Sequence, residues 1–333
     1  HELAYTNTET DRQFFAADAP SFGDGKGQLD RTSYVGTWNA TEEINFVYGV
    51  DFRTDAFDNG TADRERDQEG YYAEYQGNHL ENLYVTAGLR YDDNEDFGTH
   101  TTYRFSGAYL FRLGSGDMKL KGAYGTGFRA PSLYELNYNE TGFPPASEVD
   151  LEAEESEGYD IGLVWATDYG LYLEATYFDQ DIDNEIYFDL DFFSGYLQGQ
   201  GESESKGVEL VALAPLGLGF SLSGNYTYND TSDFAGEQRA RRPEQLLNLG
   251  LKWATAEERF MLGFNVRGAY DAVSTTGDAL DDYEVIDLSA DWRVIKGLHL
   301  FGRVENLTDE DYAEVGGFNT AGTAGYLGAR YSF

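Results

Sequence analysis

Residues 247–253 read Leu247-Asn-Leu-Gly-Leu-Lys-Trp253, with a large apolar side chain at each odd position and a polar or minimal one between. Successive side chains of a strand point to opposite faces, so this period of two builds one apolar face and one polar face. Working outward, Phe220, Leu222, Tyr226 and Tyr228 alternate with Ser221, Ser223, Asn225 and Thr227. Leu262, Phe264 and Val266 enclose Gly263, Asn265 and Arg267, and Leu298, Leu300 and Val304 enclose His299, Arg303 and Glu305. Upstream, Leu171, Leu173, Ala175 and Tyr177 alternate with Tyr172, Glu174 and Thr176. The last segment sets Leu327, Ala329, Tyr331 and Phe333 against Gly328, Arg330 and Ser332. The chain is all-β.

An antiparallel sandwich also alternates, but the connections argue for a barrel. From the C-terminus they run alternately long and short: 308–324, then 295–297; 271–282, then 255–258; 230–243, then 214–217; 182–200, then 167–168; 129–154, then 113–116. The rhythm continues through 93–98, 79–81, 55–69, 41–43 and 11–30. Long loops on one rim, tight turns on the other and strands of roughly 9–11 residues mark an antiparallel transmembrane β-barrel, here with about sixteen strands. Trp38, Trp165, Trp253 and Trp292 all fall close to a short turn, where a membrane–water interface favours indole. They are predicted to form one interfacial girdle.

Composition removes other classes. With 60 acidic against 23 basic residues the net charge is −37, which excludes nucleic acid as a partner because that binding rests on Lys and Arg. The absence of cysteine excludes disulfides, thiolate catalysis and Cys-type zinc sites. No apolar run approaches the length of about 20 residues that a spanning helix needs. An aromatic share of 16% argues against a disordered acidic chain. Acidic residues concentrate in 55–69, 92–96, 148–155 and 309–314, so the long-loop rim is expected to be anionic.

Three segments, in order, resemble the TonB-dependent outer-membrane receptors. They are Gly125-Thr-Gly-Phe-Arg-Ala-Pro-Ser-Leu-Tyr-Glu-Leu136; Glu155-Ser-Glu-Gly-Tyr-Asp-Ile-Gly-Leu163 with Ser205-Lys-Gly-Val-Glu-Leu210; and Glu305-Asn-Leu-Thr-Asp-Glu-Asp-Tyr312 with the terminal Tyr331-Ser-Phe333. Within that family, Arg241-Arg-Pro-Glu-Gln245 and Gly317-Phe-Asn-Thr-Ala-Gly322 are most similar to the cobalamin (vitamin B12) receptor branch. Where the family often carries an Asn-Pro loop, this chain reads Ser147-Glu-Val-Asp-Leu-Glu-Ala153. The resemblance implies a barrel of about 22 strands, of which residues 1–333 are the latter part, with the plug, the TonB-contacting box and the first strands expected outside them. It implies residence in the bacterial outer membrane, energy-coupled uptake through TonB by way of the plug, and recognition of the C-terminal strand, with Tyr331 and Phe333, by the barrel assembly machinery. The implied cargo is a bulky small molecule, cobalamin ahead of a ferric siderophore. From another class, a closed barrel of about sixteen strands would serve as a passive porin-like channel.

Candidate sites follow from exposure and chemistry. The loop with Tyr134, Tyr138 and Phe143, and that with Tyr187, Phe188, Phe192, Phe193 and Tyr196, gather aromatics suited either to ligand capture or to packing of loop on loop. Lys252, Arg267, Asp291, Arg293, Arg303, Glu305 and Arg330 are predicted on the lumenal face, where they either pair across strands and stiffen the wall or contact a plug or line a permeation path, the first being favoured. His1, His79, His100 and His299 lack metal spacing, and no nucleophile–base constellation is legible, so neither catalysis nor a cofactor is expected. Asp179, Asp181, Asp183 and Glu185 imitate a calcium loop, but Asn184 and Leu190 stand where Gly and Glu are required, so no resident metal is expected.

Overall fold

The structure, a computed structural model, describes residues 1–15 and 21–333. Among them sixteen strands form the main sheet. They are β1 (Glu2–Phe15), β2 (Ser21–Asn39), β3 (Ile44–Asp58), β4 (Asp63–His79), β5 (Leu83–Asn94), β6 (Gly98–Leu113), β7 (Gly116–Arg129), β8 (Glu154–Thr167) and β9 (Tyr172–Asp183). There follow β10 (Glu202–Gly217), β11 (Phe220–Ser232), β12 (Gln245–Ala254), β13 (Phe260–Tyr270), β14 (Tyr283–Ile295), β15 (Leu298–Glu305) and β16 (Ala324–Tyr331). The sheet is antiparallel, takes the strands in chain order, and is open, with β1 and β16 at its ends. The chain divides into two compact units, the first His1–Tyr109, Gly122–Tyr159 and Gln180–Ser203, the second Leu110–Lys121, Asp160–Asp179 and Glu204–Phe333.

Cross-strand register turns the sequence alternation into two faces. In the second unit Leu249 stands between Gly224 and Val266, and Leu251 between Leu222 and Phe264. One residue over, Asn248 stands between Asn225 and Arg267, and its amide donates to Asn225 Oδ1 at 3.0 Å. A slip of one residue would exchange the faces, so pairing like with like fixes the register. At the C-terminus Leu327 and Tyr331 share the apolar face with Leu298. Arg330 lies opposite His299 on the other face, and both reach Asp291, at 3.6 and 2.7 Å. Lys252 pairs with Glu258, Arg267 with Glu314 and Arg303 with Glu305.

The aromatics mark both ends of the apolar face. Near the short turns of the first unit, Trp38 stacks on Phe46 at 5.5 Å and Phe46 meets Tyr75 edge-on. In the second, Trp253 lies between Phe220 and Phe260, and Phe260 pairs with Trp292. Trp165 packs on Gly116, where an added Cβ would fall 2.6 Å from the indole nitrogen. Toward the long loops, tyrosine hydroxyls of that face donate to carboxylates. Tyr71 bonds Glu69 and Tyr124 bonds Glu157 in the first unit, while Tyr177 bonds Asp179 and Tyr270 bonds Glu284 in the second. Each ring lies along the apolar surface and its hydroxyl turns toward water.

Several strands are longer than the sequence suggests. Residues 55–69, read as a long loop, instead continue β3 and β4 as a hairpin whose turn is only 59–62, and 93–98 is a tight turn between Asn94 and Gly98. In 11–30 the ladder holds to Phe15 and resumes at Ser21, while 16–20 lie outside the described residues. These stretches are charged on both faces, which reads as loop, yet Asp55 opposite Arg66 and Phe57 opposite Arg64 keep the ladder together. The expected turn at 214–217 falls instead at Leu218-Gly219, because a bulge at Pro215/Gly217 carries β10 onward. Leu249→Arg is expected to cost about 2–4 kcal/mol, as for a basic residue at the bilayer midplane, with Asn248→Arg far milder. A refolding titration in which both positions respond equally would contradict this assignment of faces.

Candidate functional site

In the first unit the polar faces of β3, β4 and β5 build a charged floor. Arg90 forks onto both oxygens of Asp92 at 2.8 and 2.6 Å and reaches Asp51 at 2.8 Å. Gln68 donates to Asp92 at 2.9 Å and accepts from Asn94 at 3.0 Å. Asp92 and Asn94 are buried, as a paired charge and a hydrogen-bonded amide can be. Beside them Arg53 donates twice to Asp55, at 3.0 and 2.8 Å.

The loop after β7 roofs this floor. Ser132-Leu-Tyr-Glu135 is a capping box: Ser132 Oγ accepts from the Glu135 amide and the Glu135 carboxylate accepts from the Ser132 amide, starting helix α1 (Leu133–Thr141). Arg66, buried, donates to the carbonyl of Pro131 at 2.7 Å and so ties the roof to the wall. Asn59 donates to Asn137 at 2.9 Å, Arg64 pairs with Glu140, and Arg129 pairs with Glu135 and Glu154. Arg66 is the residue that sequence reading misses most clearly. Its only signal is a basic residue amid acidic ones.

A second loop packs against α1. A short hairpin pairs Ile186–Phe188 with Tyr196–Gln198, and Asn139 brackets Tyr196 by accepting from its amide and donating to its carbonyl, both at 2.7 Å. Of the aromatics singled out in the sequence, five come together. Phe188 lies 5.3 Å from Tyr196 and 5.6 Å from Tyr138, Tyr138 lies 6.0 Å from Tyr134, and Phe193 joins Phe188 at 6.0 Å. The rings meet mainly edge to face, the preferred arrangement of aromatic pairs. Tyr187 stands opposite Leu197 in the hairpin. Phe143 and Phe192 stay outside the ring cluster and are exposed. Burial pushes the Tyr196 phenol up, with Tyr134 and Glu135 adding to it. The Ser194 hydroxyl, at 2.6 Å and joined by the Phe192, Ser194 and Asp191 amides, holds the Asp189 carboxyl below the usual carboxylate range.

Between floor and roof lies a cavity of about 780 Å³, bordered by Arg53, Asp55, Phe57, Asp92, Leu133 and Tyr134. Its aromatic side is Tyr134 edge-on to Phe57 at 5.8 Å. The arginines around it are met by carboxylates: Arg53 and Arg66 by Asp55, Arg90 by Asp51 and Asp92, Arg129 by Glu135 and Glu154. Such a site offers hydrogen bonds and an aromatic face with little net charge. Among the described residues no cluster of His, Asp and Glu is arranged to hold a metal ion.

Comparison with known proteins agrees with this architecture. Vitamin B12 transporter BtuB of Vibrio cholerae is 26% identical across the whole chain, and that of Photobacterium profundum 27%. The chain spans about half the length of these relatives, 54% and 56%. Among solved structures, the ferric enterobactin receptor PfeA of Pseudomonas aeruginosa matches 99% of the chain with a TM-score of 0.77 at 19% identity, covering 59% of that receptor. The siderophore receptor PirA of the same organism matches 94% of the chain and 58% of its own length, with a TM-score of 0.73 at 22% identity. At these identities the structural likeness concerns the fold. The family model described as TonB dependent receptor-like, beta-barrel matches residues 1–307, and the chain belongs to that family of bacterial outer-membrane barrels.

Proposed function

We propose that the chain is the barrel portion of an energy-coupled outer-membrane receptor for a scarce, bulky nutrient, with cobalamin preferred to a ferric siderophore. The observation that carries this reading is the charge-matched cavity roofed by Tyr134 and α1. With each arginine engaged by a carboxylate, an anionic chelate finds no unengaged cation there. The acidic ends of the strands repel anions over about a Debye length, roughly 8 Å at physiological salt. A neutral corrinoid meets neither obstacle, and its bulk suits apolar contact with rings such as Tyr138, Phe188 and Tyr196. Similarity to the vitamin B12 transporters supports the same choice.

Uptake belongs to the complete receptor. In this reading a plug outside residues 1–333 contacts the TonB complex, and the barrel assembly machinery reads the C-terminal strand with Tyr331 and Phe333. Trp38, Trp165, Trp253 and Trp292 sit along outer-membrane lipid. A stand-alone passive channel requires a closed ladder, whereas here Ala4 pairs with Ser33 and Tyr331 with Leu298, each on the inner side of an end strand.

Equilibrium binding of cyanocobalamin and of several ferric siderophores to the complete receptor is the direct test. Tight siderophore binding without measurable cobalamin affinity would overturn the choice of cargo. Arg66→Met, which keeps bulk but releases the Pro131 carbonyl, is expected to weaken cargo binding about tenfold, or about 1.4 kcal/mol, while the barrel keeps its resistance to heat. Unchanged affinity would remove the roof from the binding reading. The depressed Asp189 carboxyl stabilises the 186–198 hairpin above its ordinary value of about 3.9, and this contribution is lost as pH falls through the lower folded value. Loss of amide hydrogen-exchange protection in the hairpin, read by mass spectrometry after incubation at each pH, is expected only below about pH 4. Equal loss at neutral pH would refute that role for Asp189.

A further inference from the structure

The loop that roofs the cavity runs through residues 130–153, between Arg129 at the end of β7 and Glu154 at the start of β8. Arg129 closes its stem. The guanidinium donates through Nε to Glu154 and through Nη1 to both carboxylate oxygens of Glu135, at 3.2 and 3.0 Å. Glu135 in turn accepts from the Ser132 amide at 2.6 Å and from its hydroxyl at 2.9 Å. The second oxygen of Glu154 accepts from the Ile186 amide at 2.7 Å. An unbroken relay therefore runs through Ser132, Glu135, Arg129, Glu154 and Ile186, from the first turn of α1 to the first residue of the 186–198 hairpin. Arg129, Ser132, Leu133 and Tyr134 border the cavity, whereas none of the described residues 186–198 does.

Further contacts make the hairpin part of the roof. The Gln198 side chain accepts from the Glu152 amide and donates to the Glu152 carbonyl, both at 2.9 Å, and the Ser194 hydroxyl accepts from the Ala146 amide at 3.3 Å. Ser194 and Ala146 are fully buried. At Gly195 an added Cβ would fall 2.5 Å from Asn139 Oδ1 and 2.9 Å from Ala146 Cβ, so the two loops meet there without room for a side chain. Arg64 and Arg66, by contrast, tie the roof to β4.

The Glu135 and Glu154 side chains are only 12% and 14% exposed. Removing Arg129 would leave both carboxylates half-desolvated without the guanidinium that joins them, a costly state for a charge. The planar fork addresses the two carboxylates from different nitrogens, which the point charge of a lysine does not reproduce. Cargo resting on Leu133 and Tyr134 fixes the first turn of α1 and with it Glu135, and the relay passes that constraint to Glu154 and Ile186. Resting on the reading of the cavity as the cargo site, we propose that Arg129 is a positioning residue that couples cargo in the cavity to docking of the 186–198 hairpin, so that roof and hairpin close as one body. By reciprocity a docked hairpin strengthens cargo binding by the same factor.

Amide hydrogen exchange of the complete receptor, read by mass spectrometry with and without saturating cyanocobalamin, tests this coupling. In the unaltered receptor cyanocobalamin is expected to slow exchange in 131–141 and in 186–198 alike. In Arg129→Gln the slowing at 131–141 is expected to remain and that at 186–198 to vanish, returning in part in Arg129→Lys, which restores the charge without the fork. Cyanocobalamin affinity is expected to fall about fivefold in Arg129→Gln and about fivefold in Glu154→Gln, with no further fall in the double variant. A heat-shift gel confirms that each variant is folded. Slowing at 186–198 that survives Arg129→Gln would show direct contact with cargo and overturn the coupling, as would slowing confined to 131–141 in the unaltered receptor. No slowing at 131–141 in the unaltered receptor would overturn the cargo reading of the cavity, and the coupling with it.

Discussion

Lipid offers no hydrogen bond to a peptide group, and the sheet follows from that constraint. Every backbone N–H and C=O within the membrane must be paired by a neighbouring strand, so an inserted chain of this kind becomes a ladder, and the side chains have only to choose sides. The choice is carried by pairs such as Leu249 with Val266 on one face and Asn248 with Asn225 on the other. Once those faces are set, the polar residues are confined inward, and charge must be resolved there by pairing. Arg90 between Asp51 and Asp92, and Asp291 between His299 and Arg330, are the result in the two units.

The same confinement makes the candidate site. A wall with paired charges is stiff, and Arg66 uses that stiffness to hold Pro131 and the start of α1. The helix in turn holds the 186–198 hairpin through Asn139. The aromatics of the candidate site thus lie on loops while their footing lies in the sheet.

The strands were legible because period-two alternation is local: each residue declares its face through its own polarity and that of its neighbours. Their lengths were less legible. Above the apolar band both faces are polar, so Arg53 to Asp67 carries no alternation, and the ladder there depends on partners across the hairpin. Helix α1 was available in principle from Ser132 and Glu135 at capping-box spacing, but nine residues with a weak apolar stripe give little periodic signal. The aromatic loops could be named, whereas which rings meet depends on Asn139 gripping a hairpin 57 residues away. Phe143 and Phe192 look like their neighbours in sequence and differ only in that tertiary placement.

Accessibility along β12 tests the two-faced wall most directly. Single cysteines at 247 through 252, exposed in the complete receptor to a small water-soluble methanethiosulfonate reagent, should react in a period of two. Asn248, Gly250 and Lys252 are the reactive positions, and Leu247, Leu249 and Leu251 the protected ones. Uniform reactivity, or the opposite phase, would contradict the assignment of lumen and lipid on which the candidate site depends.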